Sequence, residues 1–338
     1  MHQTLITGAP GWLGTRLAEV LANPEDELNK YSANKDRKVR CLVLPEENLS
    51  SLKNPSIEKV KGNVLEKQSL ATAMEGVQTV FHLVGIIHPK KISDLYLVNR
   101  DGLKNVLDAA IAAGVKRLVF VSSNSPAGAN KSRSVLMTEG DAPNPYMNYG
   151  KSKLQAEQLA LQAHAEEKIE VVIIRPCWFY GPGQPARQSR FFRMIKKGNP
   201  IIFGNGENLR SMSYVDNTIQ GLLLAEAVKE AAGNVYWIAD EKPYATKEIY
   251  NTVAELLQVQ LKPIHVPLIA SQICEQIDRT LQAMNIYSTD FHVAGEMVYD
   301  IACSIDKAKR ELGYRPTIGL REGMKRSLDW CAQNGQII

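Results

Sequence analysis

The sequence predicts an α/β protein built on a doubly wound parallel sheet with a smaller lobe interleaved at its C-terminal side, and three observations carry that expectation. The first half alternates short β-branched runs with longer amphipathic stretches, the pattern of a parallel sheet covered by helices on both faces. A spaced glycine triplet, Gly8, Gly11 and Gly14, joins the first run to the first amphipathic stretch. After Pro176 the alternation breaks into mixed segments rich in Gly and Pro, including Gly181 to Pro185 and Gly204 to Gly206.

Taken in order, strands are expected at 3 to 7, 39 to 44, 57 to 61, 78 to 83, 117 to 122 and 170 to 175. Helices are expected at about 12 to 22, 66 to 75, 94 to 113 and 149 to 167, where apolar residues recur at helical spacing. Between the first helix and the second strand, Asn23 to Lys38 is rich in Asn, Lys, Asp and Glu and reads as an exposed loop with no assigned role. No internal repeat or low-complexity tract interrupts the chain.

A chain of 338 residues with 44% hydrophobic content can bury a large core. The net charge of +4 comes from 40 basic and 36 acidic residues spread throughout, so there is no basic stripe for nucleic acid, while small anionic ligands remain open. Cys41, Cys177, Cys274, Cys303 and Cys331 are odd in number and form no CxxC pair. They predict no disulfide framework and no metal site, and suit a reducing compartment. The N-terminus runs straight into a strand pattern, and no apolar run reaches the roughly 18 residues of a membrane span. A soluble, cytoplasmic protein without a membrane partner is the expectation.

Thr7-Gly8-Ala9-Pro10-Gly11-Trp12-Leu13-Gly14 places glycines where a strand-to-helix turn must be tight and where backbone must approach a pyrophosphate. The N–H groups of the helix that follows suit that anion. Gly8, Gly11, Trp12, Leu13 and Gly14 are therefore candidates to hold a dinucleotide. Residues 1 to 176 form the expected dinucleotide-binding Rossmann domain, and 177 to 338 mainly a substrate-binding lobe, with some segments returning to the first domain. The second strand ends Val43-Leu44-Pro45, with neither an acid for a ribose 2′-hydroxyl nor an Arg for a 2′-phosphate. Glu46 and Glu47 would repel a phosphate, which favours NAD while leaving NADP possible; both acids could equally face solvent.

Tyr149 and Lys153 stand four residues apart at the start of an expected helix, hence on one face. A phenol is a poor base at neutral pH unless neighbouring positive charge favours the phenolate, so this pairing suits proton transfer from a hydroxyl. Tyr31 and Lys35 repeat the spacing inside the polar insertion and read as a chance match. The pair at 149 and 153 instead follows a strand whose carboxyl end carries Ser122-Ser123-Asn124-Ser125, at the edge where open α/β sheets bind ligands. Ser123 is the candidate to hydrogen-bond the reacting oxygen, with Ser122 or Ser125 as alternatives.

Together these pieces resemble the extended short-chain dehydrogenase/reductase family, which includes nucleotide-sugar epimerases and dehydratases and the 3β-hydroxysteroid-type dehydrogenases. The resemblance extends through Val80-Phe81-His82-Leu83, Val98-Asn99, Arg175-Pro176, Tyr180-Gly181-Pro182-Gly183, Gly204-Asn205-Gly206, Tyr214-Val215-Asp216-Asn217 and Leu312-Gly313-Tyr314-Arg315-Pro316. It implies that Lys153 also holds the nicotinamide ribose, that Asn99 supports the active-site loop, and that Asn63 lies by the adenine, where the family usually has Asp. Val64, Leu83 and Pro176 would line the same cofactor, and His82 would be packed.

The family's dehydratases carry an acidic pair after the catalytic hydroxyl residue; here the pair is Asn124-Ser125, which argues against dehydration. Asn124, Ser125, Trp178 and Arg210 are the candidate substrate contacts. Arg210 resembles the arginine that grips the diphosphate of nucleotide sugars, with a surface salt bridge as the alternative. Trp178 stands near a position where sugar enzymes carry a phosphate-contacting Asn, and favours a flatter or more apolar substrate, or a stacked base. Sugar-nucleotide 4-epimerisation is favoured, oxidation of a bulky apolar alcohol is the runner-up, and a non-catalytic dinucleotide-binding scaffold or redox sensor is the rival from another class. The resemblance also implies a homodimer through helices 94 to 113 and 149 to 167, whose Leu103, Val106, Leu154 and Leu159 could equally face the chain's own core.

Overall fold

A computed structural model describes residues 2 to 338. The chain opens with β1 (His2–Thr7), β2 (Arg37–Val43), β3 (Ile57–Lys61), β4 (Thr79–His82), β5 (Arg117–Val121) and β6 (Glu170–Pro176). It then leaves the sheet through β7 (Trp178–Tyr180), β8 (Ile201–Phe203), β9 (Leu209–Arg210) and β10 (Met212–Tyr214). β11 (Val235–Ile238) returns to the sheet, and β12 (Tyr244–Ala245) and β13 (Ile264–Val266) belong to the lobe. Helices α1 (Trp12–Ala22), α2 (Lys67–Ala73), α3 (Ile92–Leu95), α4 (Gly102–Ala112) and α5 (Met147–Ala165) connect the first six strands. They are followed by α6 (Ser189–Lys196), α7 (Val215–Ala227), α8 (Thr246–Leu257), α9 (Leu268–Ala283), α10 (Thr289–Glu296), α11 (Asp306–Leu312) and α12 (Leu320–Gln333).

The central sheet runs β3-β2-β1-β4-β5-β6-β11, and every neighbouring pair is parallel. That is the doubly wound order, and its reversal between β1 and β4 opens a crevice at the carboxyl edge. Each strand alternates between the two layers. Along β5, Val119 and Val121 enter the layer under α1 and α7, while Leu118 and Phe120 enter the layer under α4 and α5. The lobe has a separate core in which Phe192 and Ile195 of α6, Tyr250 and Val253 of α8, and Met324 and Leu328 of α12 pack together.

Two expectations change. The segment from 92 to 112 is helical, but Tyr96–Asp101 winds as a π-helix between α3 and α4. Such wide turns occur where a side chain needs re-aiming, and this one carries the fully buried Asn99. The polar insertion is also more than an exposed loop. Glu27–Tyr31 forms a 3-10 turn whose Asn29 is buried and donates to the carbonyls of Val20 and Asn23. Arg16 bridges Asp26 of that insertion to Asp216 of α7. Composition alone reads polar residues as solvated, but here Asn29 is buried and held through its side-chain N–H groups. Of the four apolar residues considered for a dimer, Leu103 and Val106 are wholly buried in the chain's own core, and Leu154 and Leu159 are half-buried.

Candidate active site

The glycine loop is shaped by contacts that leave no room for a Cβ. One added at Gly8 would lie 2.8 Å from the carbonyl carbon of Leu83, and at Gly11 or Gly14 only 2.6 or 2.5 Å from the carbonyl oxygen of Gly8. Gly8 also has φ +97°, a conformation that favours glycine. The loop therefore folds back flat, and α1 begins after Gly11, which provides no side-chain cap. Its first-turn N–H groups point out of the helix end and suit a pyrophosphate. The residues present fit a dinucleotide.

Trp12 departs from the expected role in part. Its indole Nε1 donates to the carbonyl of Pro182, 2.6 Å away, and its ring lies 6.1 Å from that of Phe179. That side chain pins the lobe to α1, so only the Trp12 backbone remains for a phosphate. Leu13 packs into the cores beside it. At the ends of the neighbouring strands, Leu83 lies against Gly8, and the Asn63 side-chain oxygen accepts from the Leu65 N–H at 3.0 Å. Val64 is buried against Gly102, and Pro176 is buried at the end of β6. Glu46 and Glu47 are exposed beyond β2.

β5 and α5 bring the proton-transfer candidates together. Gly150 makes this possible, since a Cβ there would sit 2.5 Å from the Ser125 carbonyl oxygen. Ser123 is buried, its Oγ 3.3 Å from Ser125 Oγ and 3.4 Å from Asn124 Oδ1, and it stands close enough to the Tyr149 phenol to draw its pKa downward. Burial pushes that phenol up to about 12, against the pull of Ser123 in the other direction. Ser122 Oγ is buried and finds no partner among the described residues.

Lys153 lies on the same face of α5 but does not bear on the phenol as expected. Its Nζ donates to the Val121 carbonyl at 2.8 Å and stands 4.3 Å from the centre of the Phe120 ring. Burial pushes the ammonium down to about 7, and the carboxylate of Glu157, one helical turn further on, opposes that shift. Glu157 is held by a bidentate pair with Arg175, at 2.9 and 2.6 Å. Asn99 binds both the N–H and the carbonyl of Ile86 and donates to Ser152 Oγ. It thus ties the loop after β4 to α5, with Gly85 between Asn99 and Lys153. His82 is packed rather than presented: burial pushes it down to about 3, and its Nδ1 lies 2.8 Å from Thr7 Oγ1.

The substrate candidates are more dispersed. Asn124 and Ser125 line a cavity of about 10 Å³ with Tyr146, Glu296 and Tyr299, room for a single water. Trp178 packs edge-on against Phe191, with ring centroids 5.7 Å apart. Arg210 is not on the surface, which removes the ordinary surface salt bridge. It is only 8% exposed, its Nη2 donates to the Glu296 carbonyl at 2.8 Å, and its Nε is buried with no partner among the described residues. None of the described carboxylates forms an ion pair with it. Glu296 connects this arginine to the cavity beside Asn124 and Ser125.

Sequence reasoning passed over Glu157, although it continues the i, i+4 series from Tyr149 and Lys153 and was legible on that ground. It also passed over Tyr146, Glu275, Asp278, His292 and Glu296, which the α9–α10 hairpin gathers above α5 and which no local motif marks.

A family model described as the 3-beta hydroxysteroid dehydrogenase/isomerase family matches residues 5–268. An uncharacterized protein of Sinorhizobium fredii, y4nL, is 42% identical over 341 residues, covering 98% of this chain and 96% of that one. The UDP-glucose 4-epimerase of Vibrio cholerae is 26% identical, covering 96% of this chain and 93% of its own. The crystal structure of gox2253 shares the fold with a TM-score of 0.82 at 22% identity, over 100% of both chains.

Proposed function

The chain belongs to the 3-beta hydroxysteroid dehydrogenase/isomerase family, of the extended short-chain dehydrogenase/reductase type, and from that premise we propose that it is an NAD(P)-dependent oxidoreductase or epimerase, with NAD the favoured cofactor, acting on a secondary alcohol. The observation that carries this reading is the meeting of Ser123, Tyr149 and Lys153 at the carboxyl edge of β5, beside a glycine loop fitted to a dinucleotide. A bound nicotinamide supplies the hydride acceptor and donor. Tyr149 Oη, as the phenolate, takes the hydroxyl proton when the alcohol is oxidised, and as the phenol it returns that proton on reduction. Ser123 Oγ donates a hydrogen bond to the reacting oxygen and holds it against the phenol. Lys153, anchored on the Val121 carbonyl, keeps its remaining donors for a ribose hydroxyl. Asn99 fixes the loop after β4 so that this edge stays in register.

The favoured substrate is a nucleotide sugar. A buried guanidinium without a carboxylate partner is costly, and a diphosphate would satisfy both its charge and its free Nε. The second reading, a bulky apolar alcohol, is favoured by the aromatic group of Trp178, Phe191 and Tyr250 in the lobe core and by the family itself. The homodimer through the 94 to 113 and 149 to 167 helices remains part of the proposal, with Leu154 and Leu159 as the half-buried candidates for its contact.

A panel of UDP- and dTDP-sugars and apolar secondary alcohols, followed by NADH absorbance and by a coupled assay for epimerised sugar, separates the readings. Arg210→Gln should raise KM for a nucleotide sugar about tenfold or more, as expected for a lost charge-assisted bond, and leave KM for an apolar alcohol unchanged. An unchanged KM for the sugar would remove Arg210 from the substrate site. NADH binding without turnover of any panel member would favour the non-catalytic scaffold.

A further inference from the structure

Helix α9 is turned inside out. Its buried residues are Ser271, Glu275, Asp278 and Gln282, a polar stripe at helical spacing. Its outward residues include Leu268, Ile269, Ile273 and Ile277, between 36 and 59% exposed. The inner stripe is held by specific partners. Gln282 accepts from the side-chain amide of Asn148 at 2.8 Å, Asp278 accepts from Gln282 and lies 2.8 Å from His292 Nδ1, and Glu275 accepts from Tyr299. These bonds fix the rotation of the helix, so its apolar stripe can only face outward.

The stripe continues past both ends of the helix. Ile264 is 50% exposed and pairs across β13 and β8 with Ile201, 48% exposed. Beyond the other end, Met284 is 65% and Ile286 46% exposed. With α9 alone spanning about 24 Å at 1.5 Å per residue, this is a long apolar band on one side of the lobe.

Charge says what covers it. At the β8–β13 end, Lys196, Lys197 and Lys262 are exposed, and the Lys262 N–H binds the Gly198 carbonyl. At the other end Lys91 bridges to Ile286, and Lys90 is exposed beside it. Lys196 also donates to the Ile338 oxygen at 2.9 Å, and none of these five lysines pairs with an Asp or Glu carboxylate among the described residues. Of the carboxylates from Leu268 to Glu296, Glu275 and Asp278 are buried and Glu296 half-buried, which leaves Asp290 as the exposed one. An apolar stripe with basic ends and almost no exposed acid complements an anionic lipid surface. It does not complement a second copy of itself, whose lysines would be apposed to these.

We propose that the outer face of α9, extended by Ile201, Ile264, Met284 and Ile286, seats this protein on the surface of an anionic lipid bilayer, with Lys90, Lys91, Lys196, Lys197 and Lys262 at the headgroups. No described helix is long and apolar enough to cross a membrane, and this contact needs none. The seat places the hairpin that covers the Tyr149 helix against the lipid.

The test is co-sedimentation of the full chain with phosphatidylcholine vesicles, with and without about one third phosphatidylglycerol. Binding to the anionic vesicles should exceed binding to the neutral ones by at least about tenfold. Ile273→Glu with Ile277→Glu should reduce it about tenfold or more while the melting curve stays that of the wild type. Neutralising Lys196, Lys197 and Lys262 to Gln should abolish the preference for anionic vesicles, and this arm decides the matter if the Glu variant misfolds. Wild-type protein left in the supernatant, or binding that ignores both sets of changes, would overturn the proposal. So would a dimer in sedimentation velocity that the Glu pair splits while vesicles bind neither form, since the face would then belong to a second copy.

Discussion

Helices α5 and α9 approach the same site, and both turn polar side chains inward, yet they do so on different terms. On α5 the inward series Tyr149, Lys153, Glu157 is seated on the central sheet, with Lys153 on the Val121 carbonyl and Glu157 on Arg175 of β6. Both partners in that ion pair are nearly fully buried. On α9 the inward series is seated on α10, on loops and, through Gln282, on Asn148 at the start of α5, and Glu275 pairs with an Arg279 whose side chain is 54% exposed. Rigid seating in a low-dielectric core can tune a proton-transfer group, whereas partial exposure keeps water as a partner and weakens each pair. The difference suits α5 to the proposed chemistry and α9 to the proposed outward contact.

The largest expected effect tests the α5 side directly. Tyr149→Phe removes one hydroxyl from the site and should lower turnover by about a hundredfold to ten-thousandfold, with the melting temperature almost unchanged. Steady-state assay on whichever substrate the panel identifies measures it. Turnover close to wild type would show that another group moves the proton and would cancel the contrast between the two helices.

Next in size is the contrast between two glutamates. Glu157→Gln leaves Arg175 charged and buried and should cost about 3 kcal/mol in urea unfolding, as for other broken buried pairs. It should also let Lys153 lose its proton at still lower pH, because the carboxylate opposes that loss. Glu275→Gln should cost no more than about 1 kcal/mol, since Arg279 remains in contact with water. Equal costs would mean that the two helices are seated alike.

The same contrast explains what the sequence disclosed. The six strands and the helices at the glycine loop and at Tyr149 were legible because their patterns and their motifs agree: a short buried run, then Gly8 to Gly14, then a helical stripe. Boundaries moved by at most two residues, and those of β3 and α1 did not move. The π-turn at Tyr96–Asp101 was illegible because a wide turn leaves no mark in apolar spacing. The seventh strand, β11, was illegible because Val235–Ile238 lies far along the chain from its partner β6 and pairs only through tertiary contact. Helix α9 is the extreme case. Apolar periodicity taken alone would put Leu268, Ile269, Ile273 and Ile277 inside, and only the hydrogen-bonded network beneath them shows otherwise. Trp12 was correctly placed at the start of the first helix, but its contact with Pro182 depends on where the lobe folds back.

A third inward carboxylate, Asp240, provides the smallest and sharpest test, because it is buried without any cation. It follows β11 and accepts from Tyr180, Tyr244, Asn217 and the Tyr214 N–H, joining the sheet edge to the lobe through neutral donors alone. Burial pushes it up to about 6 from an ordinary 3.8, and those hydrogen bonds only partly offset the shift. A carboxyl whose folded pKa is raised stabilises the fold fully below the unfolded value, and that contribution disappears as pH rises through the folded one. Stability should therefore fall between about pH 4 and pH 6, with Asp240 contributing about 2 kcal/mol of the change from about pH 4.5 to about pH 7.5. Asp240→Asn keeps an acceptor for Tyr180 and cannot titrate, so urea unfolding at the two pH values should show that fraction of the difference gone. An unchanged difference would mean that the neutral donors hold the carboxylate charged throughout, and that burial without a cation is no costlier here than the paired burial of Glu157.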